Sequence, residues 1–189
     1  MTPVGRAPIV VIGIGNEMRS DDGVGPVAVE RLAASDLGDD VELLSLDGEP
    51  TRLIDAWRER RFGVVVDAIA GGAEPGTIHR VEVGVDAMPG WSSGPSSHLG
   101  GVAEAVAFAE VLMRSADRLI VYGIEPLTVA EGIGLSPAVA ASVPTLVARI
   151  RSEVAAASDA TKGCPTDRSG QCSSTGSMAS PSAGGVMRP

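Results

Sequence analysis

Two hydrophobic rhythms alternate along the chain. Unbroken apolar runs at Ile9–Ile14 and residues 63–66 carry the pattern of strands covered on both faces. Val41–Leu46 and residues 118–122 read as two more strands. Residues 77–83 differ, because Ile78, Val81 and Val83 sit among polar neighbours. That alternation predicts a strand with one wet face, at an edge and antiparallel. Between the strands the spacing turns helical. Val27, Val29 and Leu32 predict a helix over 23–34, with Asp21 or Asp22 as its N-cap. Leu53, Ile54 and Trp57 predict a second helix over 51–60. His98 opens an alanine-rich third over 98–114. The fourth covers 136–157, with Pro144 expected to kink it near its start. From Ser158 onward the apolar period stops, and seven Ser, five Gly and three Pro follow. Such a segment cannot offset its ordering entropy by burial. The pattern divides the chain into a folded domain at 6–157 and a disordered tail at 158–189.

Alternation of strands and helices implies an α/β fold, a mostly parallel five-stranded sheet with helices on both faces, in three layers. Ligands of such sheets bind outside the carboxyl ends of the strands. The first strand leads there into a glycine turn, GIGNEMRSDDGVG at residues 13–25. Gly13 and Gly15 fit the start of a dinucleotide fingerprint, but Met18 stands where the third glycine belongs. Asp47, after the second strand, lies roughly where a ribose-binding acid would. Glu17, however, puts a negative charge where the pyrophosphate would lie, against the field of a helix N-terminus.

Composition narrows the classes. The 189 residues suit one domain, and 44% hydrophobic content supports a core that, with 3% aromatics, Val, Leu, Ile and Ala must build. A net charge of −9 disfavours nucleic acid. No apolar run reaches the length of a membrane span, and the first residues enter a strand without a signal-peptide pattern. A cytoplasmic protein is expected. The two cysteines, Cys164 and Cys172, fall in the tail at a spacing unlike a metal knuckle, so neither a disulfide framework nor a Cys-based metal site is expected.

Three side chains remain at the strand ends: Glu17 after the first strand, Asp67 at the end of the third and His98 at the opening of the third helix. Two carboxylates and an imidazole suit a divalent cation such as Zn²⁺ or Ni²⁺ and leave room for water or substrate. Each has an ordinary alternative: a solvated turn residue for Glu17, a loop cap for Asp67, a structural hydrogen bond for His98. Asp22 reads as a helix cap and His79 as a surface residue of the edge strand. No G-x-S-x-G elbow or HExxH is present.

The motifs GIGNEMRSDDGVG (13–25), VVVDAIAGG (64–72), SSHLGG (96–101) and YGIEP (122–126) occur in an order and spacing that resemble the nickel–iron hydrogenase maturation endopeptidases. The resemblance covers about residues 8–150. It implies a five-stranded α/β fold and an endopeptidase that removes a C-terminal extension from the hydrogenase large-subunit precursor after nickel insertion. Glu17, Asp67 and His98 match the family's nickel-contacting positions and are the catalytic and metal-binding residues it implies. The nickel would be carried by the precursor, with no permanent cofactor. Asp67 as ligand or as general base remains open at this point. Two other classes stand beside this one: a nucleotide-dependent α/β enzyme using the Gly13 and Gly15 turn, and a non-catalytic nickel-binding accessory protein. The loop over 86–97, with Trp91, is the candidate for adapting around a substrate tail.

Overall fold

A computed structural model describes residues 6–86, 98–112 and 114–162. Five strands form one sheet: β1 (Ile9–Ile14), β2 (Val41–Leu46), β3 (Phe62–Ala68), β4 (Ile78–Glu82) and β5 (Arg118–Ile124). Their spatial order is β2-β1-β3-β5-β4. All pairs are parallel except β4 with β5, which is antiparallel at the sheet edge, as the alternation at 77–83 predicts.

Among the described residues four α-helices cover the sheet: α1 (Val24–Ala33), α2 (Pro50–Trp57), α3 (His98–Leu112) and α4 (Pro137–Lys162). The period-two alternation of the strands sorts their side chains between two cores. Ile9, Val11, Val64, Val66, Ile120 and Tyr122 pack with Val24, Ala28 and Leu32 of α1 and Val139, Val143 and Leu146 of α4. Val10, Ile12, Ile14, Val65, Leu119 and Val121 pack with Leu53 and Trp57 of α2 and Val102 and Ala105 of α3. The polypeptide leaves β1 toward β2 on one side and returns through β3 on the other. The gap between the carboxyl ends of β1 and β3 is therefore the topological switch point, the place where such sheets hold ligands.

Three local readings need correction. Helix α2 covers Pro50–Trp57 rather than 51–60: Glu49 caps it, its carboxylate accepting the Thr51 and Arg52 N–H groups. Gly23 is the N-cap of α1 and makes no side-chain cap bond, because Asp21 and Asp22 lie in a 3-10 turn (Ser20–Gly23) with other partners. Helix α4 runs through Pro144 and on to Lys162, past the expected end at residue 157. Residues 158–162 contain neither Gly nor Pro, so no breaker interrupts the alanine-rich turns before Gly163. Residues 158–162, expected in the disordered tail, are thus helical; Cys164, Cys172, the rest of the tail, Trp91 and most of the loop at 86–97 lie outside the described residues.

Candidate functional site

The switch point is built from two close backbone approaches. A Cβ on Gly13 would meet the Gly25 carbonyl oxygen at 2.3 Å, so β1 and the start of α1 touch directly. Gly15 has φ +130°, and a Cβ there would meet the Asp22 carbonyl oxygen at 1.8 Å. Glycine at these positions serves packing and chain reversal rather than a phosphate. The loop amides are already engaged. Gly15 donates to the Leu46 carbonyl at 3.3 Å, Asn16 to Asp22 Oδ2 at 2.9 Å and Met18 to Asn16 Oδ1 at 2.9 Å. A buried carboxylate occupies the inside of the turn where an anion cradle would offer free N–H groups, which argues against the nucleotide reading. Asp47 is exposed and ion-paired with Arg52 at 3.0 Å.

Glu17 is exposed on this turn, and its backbone rests on Gly23, where a Cβ would approach the Glu17 Cα to 2.9 Å. It borders a cleft of about 560 Å³ lined also by Met18, Pro26 and Leu46. The backbone that carries the carboxylate is thus fixed while the carboxylate faces solvent.

Asp67 presents the opposite case. Following Val65 by two positions, it stands on the α2/α3 face of β3. It is 0% exposed, and neither carboxylate oxygen has a hydrogen-bond partner among the described residues. Burial pushes its carboxyl well above the usual 3.8, and the nearby Asp22 charge adds to the effect. The Ala68 N–H opposes both weakly, without reaching hydrogen-bond geometry. A buried acid with no partner is rare, because an unmade hydrogen bond carries the full desolvation cost. His98 is the first residue of α3, the helix that packs on that same face. Its side chain lies outside the described part of the structure. Among the described residues no three His, Cys, Asp or Glu groups form a metal site. The fold thus brings the backbones of Asp67 and His98 to one face of the sheet and sets Glu17 on the neighbouring turn.

Two acids that the sequence reading assigned to capping have other roles. Asp21, 0% exposed, accepts the N–H groups of Leu127 (2.9 Å), Thr128 (3.2 Å) and Ser136 (2.6 Å) and so fastens the loop after β5 to the turn before α1. Asp22 bridges Glu17's turn and the surroundings of Asp67. Glu125, in the YGIEP motif, is 4% exposed and accepts the N–H groups of Gly71 and Gly72. His79 is not a free surface residue: it is half-buried, with Nε2 3.6 Å from Glu125 Oε2. For Asp21, Asp22 and Glu125 the only sequence signal was membership of the quoted motifs, and His79 lies in none of them.

Comparisons agree on one family. The model of the hydrogenase maturation protease family matches residues 26–153, a range that includes Asp67 and His98 and begins after Glu17. The hydrogenase expression/formation protein HupD of Rhizobium leguminosarum bv. viciae is 34% identical over 131 residues, 66% of this chain and 64% of its own length. HupD of Rhodobacter capsulatus is 30% identical over 152 residues, 78% of this chain and 71% of its own. The match thus spans less than two thirds of the Rhizobium protein. Among solved structures, the hydrogenase maturating endopeptidase HybD from Escherichia coli superposes with TM-score 0.67 at 26% identity, over 80% of this chain and 93% of that one. No helix among the described residues is long and apolar enough to cross a membrane. With the fold, the switch point and these matches in agreement, the chain belongs to the hydrogenase maturation protease family.

Proposed function

We propose that this protein is an endopeptidase that removes the C-terminal extension of a nickel-loaded hydrogenase large-subunit precursor, with Glu17, Asp67 and His98 as its working residues. Family membership supports the reaction class. The observation that carries the site is Asp67: a fully buried carboxylate at the switch point with no partner among the described residues, a liability unless another group completes it. A cytoplasmic setting accords with the use of only two cysteines.

The chemistry follows from the environment of each residue. Peptide hydrolysis adds the oxygen of one water to the scissile carbonyl carbon, breaks the C–N bond and returns a proton to the departing amine. A carboxyl held above its ordinary range is a better proton acceptor at neutral pH than a solvated one. Asp67 suits that role, and it suits direct contact with a cation that would supply the charge compensation it lacks. Glu17, exposed on a fixed turn, meets substrate first. His98 provides an imidazole of intermediate softness. Two carboxylates and one imidazole form an incomplete, largely hard shell, so the metal arrives with the precursor, which contributes the softer ligands. The enzyme reads completed metal insertion and keeps no cofactor.

The test is the mass of precursor after incubation with enzyme, nickel-loaded or nickel-free, with a chelator in the second arm. Cleavage of the loaded form alone is expected, and His98→Ala should give no product while remaining folded. Efficient cleavage of the nickel-free form would mark an ordinary peptidase. Tight nickel binding without cleavage would mark an accessory protein.

A further inference from the structure

The YGIEP motif at residues 122–126 has a geometry of its own. Gly123 pairs with Asp67 on one side and with His79 on the other, so the three stand in one row across β3, β5 and β4. A Cβ on Gly123 would lie 2.1 Å from Ile69 Cδ1, so the missing side chain makes room for Ile69. The Ile69 N–H donates to the Ile124 carbonyl at 2.8 Å. Beyond it, Glu125 Oε1 accepts the N–H groups of Gly71 at 3.0 Å and Gly72 at 2.8 Å, and Oε2 accepts that of Gly71 at 2.9 Å. Glu125 is itself held at both ends of its backbone: its N–H donates to Thr77 at 3.0 Å and its carbonyl accepts from Gly76 at 2.8 Å. Its Oε2 also lies 3.6 Å from His79 Nε2.

We propose that Glu125 is a positioning residue of the peptidase site: its buried carboxylate latches the segment 69–72 onto the end of β5 and so fixes the place of Asp67. The proposal rests on the reading of Asp67 as a working residue. Among the described residues the Asp67 carboxylate has no hydrogen bond to hold it. Its orientation therefore depends on the backbone to either side, and the segment that follows it is tied down by residues 124 and 125. An error of an ångström in a reacting group is worth large factors in rate. The carboxylate suits the task because Oε1 alone reaches two successive N–H groups.

The experiment compares Glu125→Gln, Glu125→Ala and Asp67→Asn on nickel-loaded precursor, with kcat per folded molecule and KM measured separately. Gln keeps an amide oxygen for both N–H groups, so E125Q should stay within about threefold of wild type. E125A should lower kcat by about tenfold or more at nearly unchanged KM. If E125A does not fold, Glu125→Asp, one methylene short of the loop, takes its place with the same expected direction. Unchanged kcat per folded molecule in the truncated variant overturns the latch, since a merely structural role lowers the folded fraction alone. E125Q as damaged as E125A also overturns it, by showing that charge rather than the N–H contacts matters. An active D67N would instead overturn the reading of the site itself.

Discussion

Asp21 and Asp67 are buried to the same degree, yet their surroundings are opposite. Asp21 receives three backbone N–H groups from a loop more than a hundred residues away. Asp67 receives none from the described residues, and Asp22 adds a repelling charge. A buried carboxylate with several N–H donors is a fastener: its hydrogen bonds compensate its desolvation. A buried carboxylate without them is a standing cost, which a protein keeps where a substrate supplies the compensation. Burial alone does not separate structural from functional acids, but the count of donors does.

The comparison can be broken by substitution. The largest effect on stability is expected at Asp21. Asp21→Asn places an amide among N–H donors and leaves some of them unmet, which should cost about 2–4 kcal/mol in chemical unfolding at neutral pH. A smaller cost than at an exposed aspartate such as Asp36 would undo the fastener reading.

Asp67→Asn should shift stability the other way. The native carboxyl has its pKa raised above the unfolded value. Its contribution is therefore fully present below about pH 3.8 and lost as pH rises through the native value. The variant removes that loss and should be more stable than wild type at pH 7, with no gain at pH 3. Unfolding curves at the two pH values check the sign, and a destabilised D67N at pH 7 would contradict it.

The smallest effect belongs to a third arrangement of charge, on the far edge of the sheet. Glu82 is bound by Arg118 (2.7 Å) and Arg80 (3.0 Å), and Arg118 lies 5.0 Å from the Phe62 ring centre. The Arg118 hydrogen bond is the chief reason that the Glu82 carboxyl falls from 4.5 to about 2, with Arg80 assisting. Here the native value is depressed, so the stabilisation is present above about pH 4.5 and lost as pH falls toward 2. Glu82→Gln should cost about 1 kcal/mol or less at pH 7, given its partial exposure, and should flatten the acid arm of the stability curve. Melting temperatures of both proteins between pH 2 and 7 decide this.

Legibility in the sequence followed the range of the forces involved. Strands whose apolar runs face two cores are recognisable from the runs alone, and the antiparallel β4 is recognisable from Ile78, Val81 and Val83. Helix α4 reaches at least Lys162, five residues past the reading from composition, because a shift averaged over residues 158–189 sets the boundary too early. The acids Asp21 and Asp22 were read by a local rule, as caps, whereas long-range packing gives Asp21 to residues 127–136. Glu125 and His79 escaped for the same reason, since the donors to Glu125 come from 53 and 54 positions away. Asp67 was legible as a candidate because a charged residue at the end of a fully apolar run is conspicuous. That it has no partner among the described residues could be learned only from the fold.

The central claim is that Asp67 is retained for reaction against its own stability. Its most direct test is cleavage of nickel-loaded precursor by folded Asp67→Asn, followed by mass beside wild type at equal concentration. The expected result is a precursor that keeps its full mass with D67N and loses its extension with wild type. Release of the extension by D67N at near wild-type rate would contradict the claim.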